Sequence, residues 1–118
     1  MKNKIVKLSN NLFKLKLEIE KELAGGNKTN EGLYELILKS ISFLKSSRTG
    51  EPISKKLPIF NYFEKKEGIS NLFLIKLTRE ARAFYTNVSQ DELNILQIIL
   101  EVHETHKEYE RKGGYNKH

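Results

Sequence analysis

Titratable side chains cluster in the last third of the chain, where they could bind a phosphodiester and move protons around it. Arg82 lies inside a predicted strand, and His106, Lys107 and Tyr109 follow the last predicted strand, with Tyr115 beyond them. A guanidinium pairs with phosphate as a planar fork and keeps its charge at any working pH. An imidazole titrates near neutral pH and suits general acid–base catalysis. The pattern therefore indicates phosphodiester chemistry.

Two structural interpretations compete with that site. The spacing also allows an ion pair between Arg82 and Glu101 on the neighbouring predicted strand, and such a pair could hold the fold or orient the arginine. The segment from His106 to Tyr115 could instead form a C-terminal arm that packs on the edge of the sheet. The sequence leaves both alternatives open.

A metal site is not favoured by the histidine spacing. Only two residues separate the histidines of His103-Glu104-Thr105-His106, whereas the metalloprotease helix motif has three. The chain has no cysteine, so thiolate ligands are missing as well. We expect no metal and no cofactor.

Residues 48–70 form the most basic part of the chain. Phe60, Tyr62 and Phe63 are interleaved with its cations, and aromatic rings can stack on the bases of single-stranded RNA. The same rings could instead anchor the segment to the core. The candidate RNA-binding residues are Arg48, Lys55, Lys56, Lys65 and Lys66, with Arg79 in a later predicted turn.

The bulk composition fits a single basic domain. The 118 residues carry a net charge of +6, with a pI of about 9.5, and such a domain often binds a polyanion. A basic composition that serves only solubility is the alternative. No apolar run is long enough to span a bilayer, and lysines interrupt any signal-peptide core after Met1. We therefore expect a cytoplasmic protein without membrane contact.

Residues 1–47 have the periodicity of two helices. Apolar residues from Ile5 to Leu23 recur at spacings of three and four, which predicts one amphipathic helix. Gly25-Gly26 ends that helix, and a second apolar stripe begins at Leu33. The short connection predicts an antiparallel helical hairpin.

Residues 71–118 are predicted to hold a β-meander and a C-terminal tail. A four-residue loop closed by Val88 and Leu93 would set Ala83 opposite Ile98, with one continuous apolar face toward the helices. The opposite face would then carry Arg82, Phe84, Gln97, Glu101 and His103. The predicted strands run from Leu72 to Thr78, from Ala81 to Val88 and from Leu93 to His103.

Together these elements predict an α+β fold in one domain of residues 1–118. The N-terminal helical hairpin, residues 1–47, packs on a small antiparallel sheet because the apolar faces of both need a partner. The basic connector, residues 48–70, is expected to be irregular apart from one short helix or an extended arm.

Three segments, within residues 45–115, resemble the RelE/ParE superfamily of toxins from type II toxin–antitoxin systems. Asn71-Leu-Phe-Leu-Ile-Lys-Leu followed by Arg82-Ala-Phe-Tyr-Thr resembles the family's apolar strand and its Tyr/Trp-Arg-Leu-hydrophobic-Tyr strand. Ile95 to Val102 resembles its long apolar strand. His106-Lys-Glu-Tyr-Glu-Arg-Lys-Gly-Gly-Tyr115 is similar to an ending His-Lys-x-Tyr-x-x-x-Phe-Gly-Tyr. The chain departs from these patterns at Ala81, where an aromatic residue is common, and at Gly113, which replaces Phe.

The resemblance implies a RelE-like mRNA interferase. Such an endoribonuclease cleaves messenger RNA, on the ribosome or free of it, by attack of the ribose 2′-OH on the adjacent phosphate without a metal ion. A cognate antitoxin that wraps the sheet and the hairpin is the implied protein partner. By position, Arg82 matches the strand arginine that grips phosphate, His106 or Lys107 the basic residue after the last strand, and Tyr109 or Tyr115 the C-terminal tyrosine.

Two other functions remain open. A ParE-like toxin would bind a protein target such as gyrase without catalysis, and a plain basic module would only bind RNA or DNA. His106 with Tyr109 favours the nuclease, because a pure binding protein needs no titratable pair at that position.

Overall fold

The structure, a computed structural model, describes residues 3–105 and has the α+β fold that the sequence predicts. Three helices and a five-stranded sheet make up the described part of the chain. In chain order the elements are β1 (Asn3–Leu8), α1 (Asn10–Ala24), α2 (Glu31–Lys45), β2 (Glu51–Pro52), α3 (Pro58–Glu67), β3 (Phe73–Lys76), β4 (Arg82–Ser89) and β5 (Asn94–His103).

The chain begins with a strand, so the prediction that the first helix includes Ile5 and Leu8 is wrong. β1 pairs in parallel with β5, and Ile5 lies opposite Leu96. Ser9 separates β1 from α1, and its hydroxyl accepts a hydrogen bond from the backbone N–H of Leu12. This N-cap sets the start of the helix, while pairing with β5 satisfies the backbone of the residues before it.

The sheet is mixed rather than wholly antiparallel. Its strand order is β1-β5-β4-β3-β2, in which β1 runs parallel to β5 and the other neighbours are antiparallel. The meander β3-β4-β5 therefore has the predicted antiparallel pairing. The additional strand β1 makes the sheet mixed. Parallel neighbours need a crossover connection, and the chain passes from β1 to β2 at the opposite edge of the sheet through α1 and α2.

Helices α1 and α2 lie against one face of the sheet and run antiparallel to each other. Glu22 contacts Asn30, and Glu20 contacts Tyr34, so the contacts run in opposite directions along the two helices. The core between the sheet and this hairpin comprises Leu12, Ile19, Ile37, Leu44, Ile75, Leu77, Ala81, Ala83, Tyr85, Ile99 and Val102.

The connector forms a third helix that covers the opposite face of the sheet. Pro58 occupies the first turn of α3, where no backbone donor is needed, and Gly68 ends the helix with a φ of 67°. Phe60 and Phe63 are buried, so both rings anchor the segment to the core and are not available to stack on RNA bases. The second core comprises Ile59, Phe60, Phe63, Ile69, Leu72, Phe84 and Leu100.

β4 and β5 pair in a different register from the predicted one. Ala83 lies opposite Val102, four residues from the predicted partner Ile98. The carboxylate of Asp91 accepts hydrogen bonds from the backbone N–H groups of residues 93 and 94. This capped turn is longer than the predicted loop, so β5 starts later and every cross-strand pair moves.

A β-bulge in β5 changes the register once more. Phe84 pairs with Glu101 and Tyr85 pairs with Ile99, which leaves Leu100 without a partner on β4. Leu100 consequently packs against α3 and not against the hairpin, contrary to the predicted continuous apolar face.

Gly50 should be intolerant of any side chain. A Cβ there would lie 2.5 Å from the carbonyl oxygen of Leu74 and 2.9 Å from a ring carbon of Tyr85. The Gly50 N–H also donates to the Tyr85 hydroxyl at 2.9 Å, so the backbone cannot move away freely. We expect Gly50→Ala to lower the free energy of unfolding by about 1–3 kcal/mol in urea denaturation.

Gly32→Ala is the matched control, because a Cβ at this helical glycine meets nothing within 4 Å. It should leave stability unchanged or raise it slightly. Equal stabilities of the two variants would contradict a close approach at Gly50.

Candidate functional site

A carboxylate between α3 and β5 has three hydrogen-bonding side chains around it in the described part of the chain. One oxygen of Glu101, Oε2, accepts from the Tyr62 hydroxyl at 2.7 Å and from the Lys66 ammonium at 2.6 Å. The other oxygen, Oε1, lies 2.7 Å from Nε2 of His103. These four residues, Tyr62, Lys66, Glu101 and His103, are called the Glu101 cluster below.

Local structure explains how the cluster assembles. Tyr62 and Lys66 are four residues apart on α3 and therefore share one face of the helix. Glu101 and His103 are two residues apart on β5 and share one face of the strand. The bulge before Glu101 turns that face toward α3.

Electrostatics favour a protonated Tyr62 and a charged Lys66. Burial, together with the hydrogen bond to the Glu101 carboxylate, raises the pKa of the Tyr62 hydroxyl. Burial by itself lowers the pKa of Lys66, but the hydrogen bond and negative charge of Glu101 outweigh it and leave this pKa raised. Since 36% of the Lys66 side chain is exposed, its ammonium is accessible to a ligand while Glu101 holds it.

His103 is buried, so its imidazole is not exposed to a ligand and instead orients the Glu101 carboxylate. It is 1% exposed and lies against Phe84, with a distance of 5.2 Å between the ring centroids. Its Nδ1 atom has no hydrogen-bond partner among residues 3–105. The nitrogen Nε2 fixes the Glu101 carboxylate, and the carboxylate in turn fixes Lys66.

Two further cations lie in a row with His103 across three strands. Lys76 on β3 is opposite Arg82 on β4, and Arg82 is opposite His103 on β5. Residues directly opposite one another are about 4.5–5.5 Å apart at Cα and share a face of the sheet. Lys76 is mostly exposed and pairs at 3.6 Å with Glu51, which is also exposed, so its charge is accessible.

The Arg82 guanidinium is partly occupied by the backbone of the β3–β4 turn. Its Nη1 atom donates to the carbonyl oxygens of Thr78, Arg79 and Ala81 at 2.9–3.2 Å. The alternative ion pair with Glu101, which the spacing allows, does not form, because the observed register sets Glu101 opposite Phe84. Within the described part of the chain, Nε and Nη2 of Arg82 have no partner and remain available to an anion.

The predicted opposite face of the meander is right in most of its members. Arg82, Phe84, Glu101 and His103 share that face. Gln97 is the exception: it lies two residues before Ile99, on the side of the hairpin core, and its amide donates to Asn87. The bulge between residues 99 and 101 accounts for this difference.

The structure separates the predicted RNA-binding cations into several groups. Lys66 belongs to the Glu101 cluster, whereas Arg48 lies over the Phe43 ring at 4.5 Å, on the hairpin side of the sheet. The others are exposed: Lys55 and Lys56 lie before α3, Lys65 lies on α3, and Arg79 lies in the β3–β4 turn. The predicted catalytic residues His106, Lys107, Tyr109 and Tyr115 lie outside the described residues.

Sequence reasoning missed Lys76 and the roles of Tyr62, Glu101 and His103. The sequence pattern indicates only a stacking or anchoring role for Tyr62, and it gives no signal for Lys76. The correct register of β4 and β5 would have placed Glu101 and His103 beside α3. The i, i+4 spacing of Tyr62 and Lys66 was the other available signal.

Residues 3–105 contain neither a candidate metal site nor a candidate membrane-spanning helix. No group of three or more histidine, cysteine or carboxylate side chains in this range could hold a metal ion. None of the described helices has the length and apolar character needed to cross a membrane.

Compared with known proteins, the chain matches no family model, no curated protein and no solved structure.

Alkaline pH should weaken the Glu101 cluster. The pKa values of Tyr62 and Lys66 are raised in the folded protein from ordinary values of 10.0 and 10.5. Such groups stabilise the fold fully below the ordinary pKa, and the stabilisation is lost as pH rises through the folded-state pKa. We expect the free energy of unfolding to fall above about pH 10, and to fall less steeply in Tyr62→Phe/Lys66→Met.

Urea unfolding at several pH values between about 9 and 11 measures these slopes. Lys65→Met is the control, because it removes a neighbouring ammonium that has no part in the cluster. If the double variant lost stability as steeply as the native protein, Tyr62 and Lys66 would not be linked to folding in this way.

Proposed function

We propose that this protein is the toxin of a toxin–antitoxin system and cleaves messenger RNA, as its resemblance to the RelE/ParE superfamily implies. The observation that carries the proposal is an arrangement of cations near the end of β5. Glu101 holds Lys66 there, and the strand register sets Lys76 beside Arg82 and Arg82 beside His103. Cations in fixed positions around a phosphodiester can stabilise the charge that develops when a ribose 2′-OH attacks the phosphate.

Each cation would act in a different way. Lys66 donates to Glu101 and, at 3.3 Å, to the Tyr62 hydroxyl, so its one remaining N–H donor can neutralise a non-bridging phosphate oxygen. Arg82 offers the Nε and Nη2 donors that the turn does not use. Lys76 is the most exposed of the three and suits a neighbouring phosphate of the RNA strand.

The proton transfers are assigned to the tail. His106 is three residues from His103, so the predicted catalytic residues follow the site directly in the chain. His106 or Tyr109 would protonate the leaving oxygen, as the resemblance implies. Tyr62 stays protonated because of its raised pKa and donates to Glu101, so it supports Lys66 rather than acting as a base.

The architecture is compatible with the proposed family. The resemblance implies a helical hairpin on an antiparallel sheet. The proposal is supported by α1 and α2 on one face of a mixed sheet in which β3, β4 and β5 are antiparallel. A cognate antitoxin is the proposed protein partner. A ParE-like toxin would use the same fold to bind a protein such as gyrase, and only its lack of RNA cleavage would distinguish it.

Lys66→Met should reduce RNA cleavage strongly. The substitution keeps much of the side-chain length but removes the ammonium that Glu101 holds. Loss of a positioned cation from a transition state typically costs about 100-fold or more in rate. Single-turnover cleavage of a labelled RNA at saturating protein concentration measures this rate separately from binding.

Lys65→Met provides the matched control for charge. Lys65 is exposed and adjacent in sequence, so its loss should weaken RNA binding modestly and change the saturated rate far less. Circular dichroism checks that both variants fold. Similar rates for the two variants would exclude Lys66 as a catalytic cation.

Deletion of residues 106–118 should abolish RNA cleavage while RNA binding falls less. The tail carries Lys107, Arg111, Lys112 and Lys117 against Glu108 and Glu110, which is +2 of the chain's +6, so most of the net charge lies upstream of the tail. Gel-shift binding and primer extension on host messages separate the two effects. A chelator should leave cleavage by the full chain unchanged.

Cleavage that survives the deletion, or that stops with chelator, would exclude the proposed mechanism. Growth arrest without RNA cleavage in either form would instead favour a toxin that acts by binding a protein target.

A further inference from the structure

A groove of about 820 Å³ lies beside the Glu101 cluster and has no role in the mechanism above. It is bounded by the end of α3, the junction of β1 with α1, and the last part of β4. Its volume is in the range of sites that bind small molecules and cofactors. Lys66 lines the groove and also belongs to the cluster, so the two sites are contiguous.

The floor of the groove is apolar. Ile98 and Leu100 of β5 line it together with Ile69, and Val88 contributes an apolar side chain that is 42% exposed. Apolar side chains in a groove of this size can pack against the face of a nucleobase.

The rim on one side of the groove consists of hydrogen-bond donors. Lys7, Asn10 and Asn11 line this side and are exposed. No ion pair or hydrogen bond joins their side chains to another of the described residues, so these donors are available. Glu67 is the acidic residue on the wall, and it lies on α3.

The other polar residues of the wall are structural. Asn71 binds both the N–H and the carbonyl group of Asn87, and it also accepts from the Thr86 hydroxyl. These bonds fix the shape of the groove without consuming the donors on its rim. The wall is therefore held in place before any ligand binds.

We propose that this groove binds a nucleotide, with the base on the apolar floor and the phosphate beside Lys7, Asn10 and Asn11. The inference rests on the proposed function for its biological ligand, since an RNA strand held at Lys66 can continue into the contiguous groove. The same chemistry would accept a free nucleoside monophosphate. Binding can be measured without cleavage, so this proposal and the nuclease activity fail or succeed separately.

The test uses the full chain and an oligonucleotide that cannot be cleaved. A fluorescent single-stranded oligomer without 2′-OH groups is titrated by anisotropy, and adenosine 5′-monophosphate is titrated by calorimetry. Lys7→Ala/Asn11→Ala should raise the dissociation constant of the oligomer by about tenfold, because charged hydrogen bonds to phosphate are lost. Ser70→Trp, which fills the groove from an exposed position, should have a similar effect.

Lys4→Ala is the matched control, because Lys4 is also an exposed lysine of β1 but does not line the groove. It should raise the dissociation constant by about twofold at most, through the general loss of charge. Circular dichroism confirms the fold of each variant. Binding of the monophosphate that is lost in Lys7→Ala/Asn11→Ala identifies a site for free nucleotides, whereas selective loss for the oligomer alone identifies a path for the RNA strand.

Equal losses in Lys7→Ala/Asn11→Ala and Lys4→Ala would overturn the proposal, because only general electrostatic attraction would then remain. Unaltered binding in Ser70→Trp, or no binding of either ligand by the native protein, would overturn it as well.

Discussion

The bulge at Leu100 is the constraint on which both the hairpin and the site depend. Side chains alternate along a strand, so one extra residue changes the face on which every later side chain lies. Beyond the bulge, Glu101 and His103 face α3, and Val102 faces the hairpin core. The carbonyl of Leu100 also accepts from the Ser9 hydroxyl at 3.0 Å, and Ser9 is the N-cap of α1.

The Glu101 cluster holds α3 on the sheet at a high cost in desolvation free energy. The carboxylate is only 12% exposed, and a buried charge must recover its lost hydration through good hydrogen bonds. Three side chains between residues 3 and 105 donate to it, yet apolar residues of similar volume often stabilise such a position as well or better. Stability alone therefore does not account for the cluster, and the accessible Lys66 ammonium is the part that a ligand could use.

The spacing of apolar residues predicts α1, α2 and the meander well, because each element buries one continuous row of apolar side chains. It failed at β1, since Ile5 and Leu8 fit a helical spacing, and the decisive contact is with β5 about 90 residues later. Residue type indicated Lys66 and Arg82 as candidate site residues. Their partners could not be predicted, because Glu101 meets Lys66 only after the bulge, and Leu100 carries no local signal such as a glycine.

The way in which Lys66 is held argues for chemistry over simple attraction of a polyanion. Attraction requires only exposed charge, and Lys55, Lys56 and Lys65 supply it from exposed positions. A lysine in a fixed position has already lost much of its conformational freedom, of the order of 2 kcal/mol of rotamer entropy. Because this entropy is lost on folding, it need not be lost again when the lysine stabilises a transition state. Non-specific binding of a polyanion gains little from a fixed lysine. In the proposed function, the exposed lysines would attract an RNA strand, and the fixed Lys66 would act on a single phosphate.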